Sequence, residues 1–177
     1  MPKNRNARGK NGRAGLAGLV HLNLIGVGLE SLTAKQAIES LSELLRESGH
    51  VGANFSSAVW EREKAHPTGL PTVPVGVAIP HTDAHHVTRS GIAVGILRNG
   101  VDFLQMGHRD APAIPVRIVF LLAIKETEKQ VRMIQELVGL LQSPDLLRRL
   151  AGAQDAAEVR SVLKPRRPTQ ASSRLHA

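Results

Sequence analysis

Residues 75–87, VGVAIPHTDAHHV, place three histidines directly after a short apolar run that ends at Pro80. His81 and His85 are four apart and could share a metal ion if they lay on one helix. Pro80 and the β-branched residues before it argue against a helix there, and no carboxylate–histidine metal pattern surrounds them. No metal is therefore expected. A nucleophilic role suits His81 better. A neutral imidazole nitrogen attacks phosphorus near neutral pH, and the phosphoramidate formed passes its phosphoryl group on readily. Such a site needs a ring held at a strand end, hydrogen-bond donors around the incoming oxygens, and a cation for their charge. Thr82 offers a hydroxyl, and Arg62 can supply the cation if the segment carrying it packs beside the strand end. On these residues alone, a plain loop histidine remains the alternative. His21, His50, His66, His108 and His176 read as loop or terminal residues facing solvent or capping.

The elements that must position His81 follow from periodicity. Thr33 is an N-cap ahead of Ala37, Ile38, Leu41, Leu44 and Leu45, a helical stripe that ends near Gly49. A second helix covers Phe55 to Ala65 and stops before His66-Pro67, because a residue preceding proline is pushed out of helical space. The segment 67–71 reads as a loop. Strands are expected at Gly76–Pro80, Gly91–Leu97, Val101–Phe103 and Val116–Ile124, with a short one within His21–Leu29. Val116–Ile124 is nearly all apolar, as in a strand covered on both faces. Three helices follow: Glu128–Leu141 with Val131, Ile134, Val138 and Leu141 on its apolar side, Pro144–Leu150, and Ala156–Leu163 capped by Asp155. The expected fold is a single-domain α/β sandwich, a mixed β-sheet with helices on both faces.

The chain has 177 residues and 42% hydrophobic content, enough for one compact domain. It lacks cysteine, which excludes disulfides, thiolate metal sites and a cysteine nucleophile. No window of 18 apolar residues occurs, so no membrane insertion is expected and the protein reads as cytoplasmic. The formal charge of +8 is concentrated at the ends. Residues 1–20 carry five basic residues and residues 164–177 carry four, with no acid in either. Removing those nine leaves 14 basic against 15 acidic residues, a middle near −1. The expected organisation is a basic flexible tail at 1–20, a domain at 21–163 and a second basic tail at 164–177. No aromatic stacking platform accompanies the tails, so no specific nucleic acid is expected.

Val77-Ala-Ile-Pro-His-Thr-Asp83 resembles the phosphorylation motif of enzyme IIA domains of the fructose/mannitol class in the bacterial sugar phosphotransferase system. Trp60-Glu-Arg-Glu63 followed by Pro67-Thr-Gly-Leu-Pro71 resembles the segment that leads to it, above all in the galactitol-type branch. Val101-Asp-Phe103, Met106-Gly107 and Val119-Phe-Leu-Leu-Ala-Ile124 continue the similarity, which spans Leu32 to Leu163. The resemblance implies that His81 is phosphorylated and that Arg62 contacts the phosphoryl group, a task its bidentate fork suits. Thr82 and Asp83 would support them. The family's second histidine, near the start of the helix after the long strand, has no counterpart in Lys125-Glu-Thr-Glu-Lys129; Glu128 is the residue aligned with it.

The implied function is that of a phosphocarrier with no cofactor, taking a phosphoryl group from phospho-HPr and giving it to a IIB subunit. With no cysteine and no membrane span here, IIB and IIC must be separate chains, and the transported sugar would be a galactitol-like alditol. Leu70, Val73 and Met106 are candidates for a transient docking face. Two other readings stand beside it: a regulatory phosphoacceptor uncoupled from transport, and a nucleic-acid-associated protein acting through its tails.

Overall fold

Alternation along the central strands builds two cores rather than one. In β5 (Ile114–Ala123), Ile118, Phe120 and Leu122 join one apolar cluster while Val119, Leu121 and Ala123 join another. A strand that is apolar on both faces demands cover on both. The computed structural model describes residues 15–108 and 110–164. Its five-stranded sheet has the order β1-β4-β5-β3-β2, where β1 is Ile25–Leu29, β2 Gly69–Leu70, β3 Gly76–Ala78 and β4 Gly91–Phe103. β1 runs parallel to β4 and β3 parallel to β5, whereas β4–β5 and β2–β3 are antiparallel. The sheet is mixed, as expected.

One face is covered by α2 (Ala34–Glu47) and α3 (Phe55–Ala65), the other by α1 (Leu16–Leu19), α4 (Thr127–Leu140), α5 (Pro144–Ala151) and α6 (Ala156–Leu163). Local chemistry sets their starts. Thr33 Oγ1 accepts the Gln36 N–H at 3.2 Å, Ser143 Oγ that of Leu146 at 3.3 Å, and Asp155 Oδ1 that of Glu158 at 2.8 Å. Each satisfies a donor that the first helical turn leaves open. Among the described residues, no helix is long and apolar enough to cross a membrane.

Four features differ from the sequence expectation. The segments Gly91–Leu97 and Val101–Phe103 are one strand: Arg98, Asn99 and Gly100 bulge out, exposed, between two stretches that both pair with β5. Asn99-Gly100 has turn chemistry, yet the shared partner strand keeps the chain running on. The expected loop at 67–71 contains β2, which pairs Gly69 with Ala78 and Leu70 with Val77. On α4 the buried residues are Gln130, Met133 and Leu137, while Val131 is 53% exposed. The packed chain also starts before His21, because Leu16 and Val20, placed in the basic tail by composition, are fully buried. Residues 1–14 and 165–177 lie outside the described residues.

Phe120 sits at 0% exposure in the middle of β5, where it pairs with Val94 of β4. Phe120→Ala is expected to cost about 3–5 kcal/mol, the range for opening a cavity around a buried aromatic. Urea unfolding of the two proteins measures it; a loss under about 1 kcal/mol would contradict the packing described.

Candidate active site

His81 owes its place to the register of β3 on β5. Val77 pairs with Ile118 and Ala78 with Val119 in parallel, and the same offset continues past Pro80 to an isolated bridge between His81 and Leu122. Pro80 has no N–H to donate, but its carbonyl accepts the Leu122 N–H at 3.0 Å. The chain therefore stays beside β5 for as long as it takes to seat the histidine.

His81 is 8% exposed, with its ring Nδ1 2.9 Å from the Ile79 carbonyl. A carbonyl only accepts, so Nδ1 carries the proton and Nε2 is left with its lone pair. Burial lowers the His81 pKa below the usual 6.5; the Ile79 hydrogen bond opposes this, the Arg62 charge adds to it, and Asp83 opposes it. The lowered pKa favours the neutral ring, and in that form the Ile79 contact selects the tautomer that leaves Nε2 unprotonated.

Arg62 and Asp83 come together beside it. Arg62 Nη1 lies 3.7 Å from Asp83 Oδ1, the two side chains being 36% and 70% exposed. That pair is too open and too long to count for much in stability. Arg62 Nε is buried without a hydrogen-bond partner, so the protein does not exhaust the guanidinium's donors. Thr82 is buried at 5% exposure, and its carbonyl accepts a hydrogen bond from Gln130 Nε2 at 3.3 Å.

That contact brings the start of α4 to the His81 segment through Gln130. Glu128 is exposed, and the residue of the first turn of α4 that turns to the His81 segment is Gln130, 9% exposed. The signal was present in the spacing: Gln130, Met133 and Leu137 fall at i, i+3 and i+7, one helical face. His85 and His86 lie on a 3-10 turn, Ala84–His86, with ring centroids 3.9 Å apart and His85 exposed. Among the described residues no cluster of three or more His, Asp or Glu is placed to hold a metal. Of the proposed docking residues, Val73 is 73% exposed, while Leu70 and Met106 are half-buried against the core.

His50, read as a solvent or cap residue, is instead 3% exposed. Its Nδ1 lies 3.0 Å and 3.1 Å from the Arg89 and Ser90 carbonyls, and Nε2 accepts from Arg89 Nη2 at 3.3 Å. A Cβ on Gly91 would meet the ring at 2.5 Å, so only glycine fits beneath it. Burial lowers its pKa below 6.5, against the carbonyl hydrogen bonds and with help from the Arg89 and His21 charges. A histidine with a depressed folded pKa stabilises fully above the unfolded value and loses that stabilisation as pH falls through the folded one. Between pH 7.5 and 5.5 the protein is expected to lose more stability than a His50→Asn variant, measured by urea midpoints. Equal losses would contradict a neutral, buried His50.

Comparison with known proteins agrees with this arrangement. The family model described as phosphoenolpyruvate-dependent sugar phosphotransferase system, EIIA 2, matches residues 19–165. The galactitol-specific EIIA component of Escherichia coli strain K12 is 27% identical over 123 residues, 70% of this chain and 81% of that protein. Among solved structures, the nitrogen regulatory protein IIA-Ntr of Neisseria meningitidis superposes with a TM-score of 0.70 at 29% identity, covering 84% of this chain and 98% of that one. Enzyme IIA of the E. coli mannitol system, in its complex with phosphorylated enzyme IIB, gives 0.67 at 26% identity, covering 81% and 97%. A family match over most of the chain, on a mixed sheet that delivers His81 beside Arg62, places the protein among the EIIA 2 phosphocarrier components of the sugar phosphotransferase system.

Proposed function

We propose that the protein accepts a phosphoryl group on Nε2 of His81 from the phosphohistidine of HPr and passes it to a separate IIB subunit. The observation that carries this is the 2.9 Å contact from His81 Nδ1 to the Ile79 carbonyl, because it leaves Nε2 as the nucleophile. The Nε2 lone pair attacks phosphorus, the donor's P–N bond breaks, and its electron pair returns to the donor imidazole. Arg62 faces the charge gathered on the three oxygens. Transfer onward repeats the step with His81 as leaving group and a nucleophile of IIB attacking. The phosphorylated IIB partner of the similar mannitol IIA supports this acceptor. The similarity to galactitol-specific EIIA supports an alditol as the transported substrate. We place this activity in the packed domain that begins at Leu16 and assign no specific nucleic acid to the basic ends.

Incubation with enzyme I, HPr and labelled phosphoenolpyruvate, followed by site mapping, tests the reading. Acid-labile, base-stable label on His81 is expected; no label on a folded sample with active HPr overturns it.

A regulatory phosphoacceptor is the second reading, favoured by the similarity to nitrogen regulatory protein IIA-Ntr at 29% identity. It keeps the first transfer and removes the second. Rapid discharge of the phosphorylated protein by a IIB subunit separates the two.

A further inference from the structure

Next to Arg62 on α3, Glu63 is 6% exposed, and both its oxygens are taken up by one residue. Oε1 accepts the Thr68 N–H at 2.9 Å and Oε2 the Thr68 hydroxyl at 2.8 Å. Burying a carboxylate is costly, and here burial raises its pKa against both Thr68 hydrogen bonds.

What Thr68 holds in turn gives the double grip a purpose. The β2–β3 register, Gly69 with Ala78 and Leu70 with Val77, extends one step to set Thr68 opposite Ile79. There the Ile79 N–H donates to the Thr68 carbonyl at 3.4 Å. Ile79 is the residue whose carbonyl takes the His81 Nδ1–H. The adjoining Gly69 is tied on its other edge, its N–H donating to the Leu104 carbonyl at 3.0 Å and its carbonyl accepting the Met106 N–H at 2.8 Å. Three hydrogen-bonded links thus join a buried carboxylate on α3 to the imidazole.

We infer that Glu63 is a positioning residue for His81, fixing through Thr68 and Ile79 the carbonyl that selects the Nδ1–H tautomer. Its effect on phosphoryl transfer rests on the reading of His81 as acceptor; its effect on the tautomer does not. Arg62 on the same turn meets Asp83 on the far side of His81, so the end of α3 grips the histidine segment from both sides.

The test compares the full chain with its Glu63→Ala and Glu63→Gln variants by long-range 1H–15N spectra of His81, phosphoryl acceptance from phospho-HPr, and thermal unfolding. Glu63→Ala is expected to spread His81 over both tautomers and to slow acceptance by up to about a hundredfold, as when a reacting atom is displaced by about 1 Å. Glu63→Gln, whose amide still accepts from the Thr68 N–H and can donate to its hydroxyl, is expected to restore the tautomer and most of the rate. A folded Glu63→Ala protein with the original tautomer and rate would overturn the inference. If that variant does not fold, Thr68→Val, which removes the hydroxyl alone, takes its place with the same expected shift; no shift overturns it too. Failure of the unaltered protein to accept phosphate overturns the phosphocarrier reading, and the tautomer comparison then decides Glu63 by itself.

Discussion

His81→Ala is expected to yield a folded domain that takes no phosphoryl group. The ring lies past the end of β3, and the backbone bridge to Leu122 and the Pro80 carbonyl's bond to the Leu122 N–H do not involve the side chain. Truncation leaves the Ile79 carbonyl without its partner, a loss of about 1–3 kcal/mol. In a chain of this size each kcal/mol lost lowers the melting temperature by about 2–4 °C. The two cores, built from β4, β5 and the covering helices, do not include the ring. Circular dichroism should therefore superpose on that of the unaltered protein while label from phosphoenolpyruvate disappears. Undiminished label on His81→Ala would exclude His81 as acceptor and turn attention to His85 and His86.

Arg62→Ala is expected to keep the phosphorylation site but to slow single-turnover transfer from phospho-HPr by roughly 10²–10³, the range for removing one preorganised donor from a developing anion. Arg62→Lys keeps the charge without the fork and should fall between. Two side effects have predictable signs. Removing the Arg62 charge takes away one of the two influences that lower the His81 pKa, so that pKa rises toward 6.5. Stability should change little, because the Asp83 pair is exposed and Arg62 Nε has no partner to lose. A transfer rate within about twofold of the original, compared at saturating donor, would remove Arg62 from the reaction.

Much of the architecture was readable because its signals act within a few residues. Thr33 and Asp155 cap the helices that they precede, and Pro144 opens α5. His66-Pro67 ends α3 where a pre-proline residue must leave helical space, and the helix runs Phe55–Ala65 as expected. The unbroken apolar run of β5 announced cover on both faces. His81 and Arg62 were legible by another route: the residue order around Pro80 resembled a known motif, and spacing alone could not tell a poised imidazole from a loop histidine.

The sequence by itself, then, determined the five helices after Thr33, the central buried strand, the two-sided cover and the histidine worth testing. Tertiary structure decided which side chains meet it. β2 is a strand only because β3 lies beside it, and β4 runs through Asn99-Gly100 only because β5 pairs with both of its halves. Gln130 rather than Glu128 reaches the Thr82 carbonyl because α4 turns the face carrying Met133 and Leu137 to the sheet. His50 is buried by residues some forty positions later, and Glu63 reaches His81 through a strand pairing that no local pattern encodes. Capping, proline restriction and periodicity are short-range forces written along the chain. Burial, tautomer and hydrogen-bond partner are fixed only when distant segments pack, and those properties make a histidine a nucleophile.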